Sequence, residues 1–154
     1  MRNGSGAFLV DTNILVYLFD PRDLAKQVIA RDLLVTLRPT RRTRLSAQCL
    51  AEFFNTVTGG FPPNLRLPVH RALREISRFA DVYTVHDVTA PAVLDACRLV
   101  GDQSISIWDA LICSVARLNG LEYILTEDSD HGRLLGGIRY LNPFDPAFDV
   151  SILL

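Results

Sequence analysis

Short, almost purely apolar runs alternate along this chain with longer stretches of amphipathic repeat. The runs at residues 7–10 (AFLV), 43–46 (TRLS), 82–85 (VYTV), 122–126 (EYILT) and 138–141 (IRYL) have the length and residue types of strands. Between them lie helical patterns. DLAKQVIARDLLVTL, after the stop at Pro21, places Leu24, Val28, Leu33, Leu34 and Leu37 at roughly helical spacing. AQCLAEFFNTV follows Ser46 as a cap and ends at Gly59 and Gly60, and PVHRALREISRFA opens on Pro68, a residue suited to the first helical position. TAPAVLDACRLV follows, then IWDALICSVARLNG, which Gly120 stops, and a further helix is read from Asn13 onward. Helices alternating with short apolar strands predict an α/β sandwich around a mainly parallel sheet. GGFPPNLRLP, residues 59–68, reads as a rigid turn between two helices.

Length narrows this to one domain over residues 1–154, large enough to bury a core without disulfide or metal staples. An apolar content of 49% is somewhat rich for a small soluble protein and hints at an interface. The net charge of -1 argues against gripping nucleic acid through a wholly basic surface. A local patch is still available in RPTRRTR, which holds Arg38, Arg41, Arg42 and Arg44 and is the best candidate for phosphate contacts. Cys49, Cys97 and Cys113 are odd in number and lack paired short spacing, so they suggest neither a disulfide framework nor zinc. No segment approaches the ~20 apolar residues of a membrane span, and the apolar run before Asp11 is too short for a signal peptide. The expected location is the cytoplasm, with no membrane partner.

Four acids occupy positions where carboxylates are unusual. Asp11 ends the first apolar strand, Glu52 lies among Leu50, Ala51, Phe53 and Phe54, Asp109 sits in SIWDALI, and Asp128 follows the strand YILT. Each has a plain structural explanation. Asp11 or Asn13 caps a helix, Glu52 faces solvent, Asp109 completes an S-x-x-D capping box with Ser106, and Asp128 is a turn residue. Those explanations leave the coincidence untouched, because strand ends and helix starts in a parallel sheet open onto one edge, where ligands bind. At about 4 Å and an effective dielectric of about 20, each like-charged pair costs on the order of 4 kcal/mol, so a convergent set needs an offsetting charge. With no His or Cys at ligand spacing, the oxygen donors point to a hard cation, Mg²⁺ or Mn²⁺.

DTN after an apolar strand, AEFFN in mid-chain, IWDALI, ILTED with a nearby HG, and the closing YLNPF together resemble the PIN domain, and within it the VapC-type toxin ribonucleases of toxin–antitoxin pairs. The resemblance spans roughly residues 8–144. It implies a three-layer α/β/α sandwich, a metal-binding quartet of Asp11, Glu52, Asp109 and Asp128, and polar supporting positions at Asn13 and Thr126. It further implies Mg²⁺- or Mn²⁺-dependent hydrolysis of an RNA substrate, a homodimer, and a cognate antitoxin protein. Asp130, in EDSDHG, is the weaker candidate for an additional or alternative ligand. His131, His70 and His86 read as turn or surface histidines, and Trp108 as a packing anchor. Phosphotransfer proteins with an aspartate after the first strand are disfavoured: they use a lysine at the site, and the sole lysine here is Lys26. A PIN-like scaffold without catalysis, or a PIN nuclease that processes RNA outside a toxin pair, are the alternative functions.

Overall fold

The computed structural model describes residues 6–59 and 66–154, so Gly60 and most of the turn expected at 59–68 lie outside the described residues. The chain runs β1 (Phe8–Val10), α1 (Thr12–Tyr17), α2 (Leu24–Leu37), β2 (Thr43–Ser46), α3 (Ala47–Gly59), α4 (Val69–Val82), β3 (Thr84–His86), α5 (Ala90–Gln103), α6 (Ile107–Leu118), β4 (Tyr123–Leu125), β5 (Leu134–Leu135) and β6 (Ile138–Leu141). The strands form one sheet in the order β3-β2-β1-β4-β6-β5. All neighbours are parallel except the β5–β6 pair.

Strand alternation explains the layers. Phe8 and Val10 point into one core with residues of α1 to α4, while Leu9, between them, points into the other with α5 and α6. The sheet is therefore covered on both faces, the α/β/α sandwich implied by the sequence. α6 is buried continuously from Ala110 to Ala116.

Two expectations shift. The strand read at 82–85 lies at Thr84–His86, because no glycine or proline interrupts α4 before Val82 and the Tyr83 N–H still closes onto the Phe79 carbonyl. β5 was not foreseen: two residues carry too little pattern to be read. Its turn to β6 is Gly136-Gly137, with φ of 56° and 84°, the left-handed pair that a two-residue hairpin requires. Cys49, Cys97 and Cys113 are all free. Among the described residues, no helix is long and apolar enough to cross a membrane.

The topology places the site. From β1 the chain moves outward to β2 and β3, then returns to β4 on the other side of β1. The order reverses between β1 and β4, and the crevice beyond the carboxyl ends of two such strands is where open parallel sheets bind ligands. Asp11 follows β1 there, and Thr126 follows β4.

Candidate active site

Asp11 leaves β1 in extended geometry and caps α1, its Oδ1 accepting the Thr12 N–H at 2.7 Å. The capping explanation is thus correct and incomplete. Its other oxygen, Oδ2, accepts the Thr126 hydroxyl at 2.8 Å across the β1–β4 crevice. Asn13, the second residue of α1, donates through Nδ2 to Thr126 Oγ1 and to Asp128 Oδ2, both at 2.9 Å. The Asp128 N–H closes the arrangement on Thr126 Oγ1 at 3.1 Å. Asn13 Oδ1 is buried and has no hydrogen-bond partner.

Asp109 stands at the start of α6, where Ser106 accepts its backbone N–H at 3.1 Å and donates its hydroxyl to Asp109 Oδ2 at 2.7 Å. Half of the capping box foreseen as its plain explanation is thus present: Ser106 caps the helix, but the Asp109 carboxylate returns to the Ser106 hydroxyl and not to its backbone N–H. Yet Asp109 also lines, with Asp11, Asp128, Thr126, Arg133 and Tyr140, a narrow cavity of about 50 Å³ at the switch point. Glu52 is outside that cavity and half-buried. It accepts the Thr12 hydroxyl at 3.0 Å and Gln48 Nε2 at 2.8 Å, so a single residue, Thr12, separates it from Asp11.

The four acids thus reach one edge of the sheet, three in one cavity and the fourth one hydrogen bond behind it. Among the described residues no three carboxylate, imidazole or thiol groups stand close enough together to hold a metal as they are. Hydroxyl and amide donors separate them instead. The donor set nevertheless suits a hard cation: carboxylates and a buried, unpartnered amide oxygen, with one or two carboxylates enough for Mg²⁺, which keeps several waters. The electrostatics lean the same way. The Asp11 carboxyl is pushed up to about 6, chiefly by burial and further by the charges of Asp128 and Glu52, against the pull of Thr126 and the Thr12 N–H. Tyr140 is raised mainly by burial, with Cys113, Asp109 and Asp11 adding to it.

Asp130 lies elsewhere, in a broader depression of about 530 Å³ that it shares with Glu127, Asp128, His131 and Asp145. His131 uses Nδ1 to accept the Asn142 N–H at 3.2 Å. Trp108 departs from its expectation as a packing anchor: 63% exposed, it sits on the outer side of the first turn of α6, before the buried stripe begins at Ala110. Lys26 is engaged away from the cavity, its Nζ 2.7 Å from Glu127 Oε2 and lying over the rings of Tyr17 and Phe144. Sequence reasoning missed Gln48, Arg133 and Tyr140. Gln48 stands four residues before Glu52 and also donates to the Trp108 carbonyl at 3.1 Å, joining α3 to the start of α6. Its i,i+4 spacing was a usable signal, whereas nothing local marks Arg133.

The profile of the PIN domain matches residues 8–135, a span that contains all four acids and both strands of the switch point. The chain belongs to the PIN domain family. Comparison with curated proteins gives no match. Among solved structures, this PIN domain is similar to VapC20 of Mycobacterium tuberculosis, described as a sarcin–ricin loop cleaving toxin. The identity is 23% and the TM-score 0.63, over 80% of this chain and 92% of that one. It is also similar to DNA-bound VapBC from Salmonella typhimurium, at 19% identity and TM-score 0.65, covering 87% and 96% of the two chains. A toxin–antitoxin complex from Klebsiella pneumoniae matches at 20% identity and TM-score 0.63, covering 90% and 99%. At these identities the likeness is one of fold.

Proposed function

We propose that this PIN domain is a Mg²⁺- or Mn²⁺-dependent endoribonuclease and the toxin of a toxin–antitoxin pair. The observation that supports this best is the convergence of Asp11, Asp109 and Asp128 on one cavity at the β1–β4 switch point. PIN nucleases generally use divalent metals. Asp11, Asp109 and Asp128 would hold the cation, with Glu52 behind them through Thr12. When bound, the cation supplies Lewis-acid polarisation of the phosphate and an activated water at neutral pH.

The chain's own residues set the stage for that chemistry. Thr126 fixes Asp11 by donating to it, and Asn13 ties Asp128 to the same hydroxyl, so these carboxylates are oriented before substrate arrives. Arg133, the one cation lining the cavity among the described residues, is placed to meet a phosphate oxygen that the carboxylates would otherwise repel. Hydrolysis by water requires no protein nucleophile, which accords with the engagement of Lys26 outside the cavity.

The antitoxin and homodimer parts of the proposal rest on the fold shared with VapBC complexes and on the apolar surplus. Exposed Val35, Leu94 and Trp108 are side chains that a partner surface would cover. The test is cleavage of a mixed RNA pool with and without Mg²⁺ or Mn²⁺, by the wild type and by Asp11→Asn. Cleavage that needs the metal and disappears in the variant is expected. A folded wild type that binds RNA without cutting it under any metal would instead favour a binding scaffold.

A further inference from the structure

A second polar cavity, of about 350 Å³, lies at the opposite edge of the sheet, where β2 and β3 begin. Arg38, Arg41 and Arg44 line it with Thr43, Tyr83 and Thr84. β2 separates this cavity from the acidic edge by its own length, roughly 10 Å at about 3.3 Å per residue. Among the described residues, no carboxylate lines it and no ion pair engages Arg38, Arg41 or Arg44.

The walls are built rather than merely basic. Arg44 Nη1 donates to the backbone carbonyls of Arg41 at 2.8 Å and Thr43 at 3.1 Å, which fixes its guanidinium at the mouth of β2. Arg41 holds a left-handed backbone, φ 54°, at the end of the short 3₁₀ turn Arg38–Thr40, so the chain doubles back and brings three arginines to one opening. Thr84, the register partner of Arg44 in the parallel β2–β3 pair, shares its face of the sheet and is exposed at the same opening. Guanidinium groups gathered at one opening without a counter-charge repel one another. One ligand offsets that repulsion: a tetrahedral oxyanion, which accepts from arginine forks and from a hydroxyl such as that of Thr84 at once.

We propose that this cavity is a phosphate-binding site, distinct from the acidic cleft. The phosphate belongs either to an RNA strand that reaches past the sheet edge or to a small phosphate or nucleotide. The proposal does not depend on cleavage. The test is an amide NMR titration of the full chain in EDTA with inorganic phosphate, ionic strength being held constant with chloride. Saturable shifts are expected at Arg41, Thr43 and Thr84, with affinity falling about tenfold or more in Arg38→Gln/Arg41→Gln. Both side chains are exposed, and an unchanged melting temperature verifies that the variant is folded. A ten-nucleotide RNA titrated in the same way separates the sources. If a strand is the ligand, it binds more tightly than inorganic phosphate, and its salt dependence flattens in the variant. If a small phosphate is the ligand, RNA binds no better at these resonances. Non-saturating shifts with both ligands, or saturation unaltered in the variant, would overturn the proposal.

Discussion

Asp11 shows at the scale of one residue how a carboxylate can be structurally accommodated and still be poised to bind. Its folded-state pKa of about 6 lies above the ordinary value of 3.8, so in metal-free protein the neutral form is favoured by folding. The resulting stabilisation is complete below the unfolded value and is lost as pH rises through 6; two units correspond to about 3 kcal/mol. Metal-free wild type should therefore lose stability between pH 4 and pH 7 relative to Asp11→Asn, as measured by thermal melts of both proteins in EDTA. Cation binding needs the ionised carboxylate, so Mn²⁺ affinity should fall as pH drops below about 6. An identical pH dependence in the two proteins would remove Asp11 from the proposed site. Asp109 calls for a different contrast. Asp109→Asn keeps an oxygen for the Ser106 hydroxyl, so the helix should remain capped and the melting temperature in EDTA nearly unchanged, while cleavage is lost. Cleavage at the wild-type rate would leave Asp109 with the capping role alone.

Elements carry these residues, and each element can be tested apart from the chemistry. Ser106→Ala removes the cap of α6 and should cost about 0.5–2 kcal/mol in urea unfolding. The β5–β6 hairpin offers a graded pair. A Cβ at Gly136 would lie 2.9 Å from Cys113 Sγ in addition to the φ strain, whereas one at Gly137 meets nothing within 4 Å. Gly136→Ala should thus destabilise more than Gly137→Ala, whose cost is the left-handed backbone alone, about 1–2 kcal/mol; equal midpoints would show that the Cys113 side chain yields freely. The same hairpin marks a limit of sequence reading. Long helices were legible because each repeats its apolar period several times, the parallel strands because they are short apolar runs between helical patterns, and Asp11, Glu52, Asp109 and Asp128 stood out as acids in apolar settings. A two-residue strand has no period to read. Gln48 and Arg133 are polar residues in positions that demand nothing of them locally, and only the folding of α3 against α6, and of the 126–135 loop against β1, brings them to the acidic edge.

At the scale of the whole molecule, charge distribution decides what can bind where. The proposed cleft gathers carboxylates at one edge of the sheet, and the flanking depression adds Glu127, Asp130 and Asp145, so this side suits cations and basic peptide. A cation that binds only the folded state should raise the melting temperature in proportion to the logarithm of its concentration once above its Kd, and Asp109→Asn should blunt that rise. The proposed antitoxin would meet the same field. An arginine from it could pair bidentately with the carboxylates and displace the metal, while its apolar residues cover Trp108, which is exposed beside Asp109. Inhibition should then weaken as salt is raised, because part of the attraction is screened. At constant ionic strength it should also weaken as Mg²⁺ or Mn²⁺ increases, because inhibitor and cation compete for the same oxygens. Co-expression with the product of any small gene adjacent to this one, followed by sizing and a cleavage assay, reads each part separately. A dimer that retains the neighbour's product and is silenced by it is the expected result. A chain that cleaves RNA with metal but neither binds that product nor is inhibited by it would retain its nuclease chemistry and lose its place as a toxin, and RNA processing would then be the better reading.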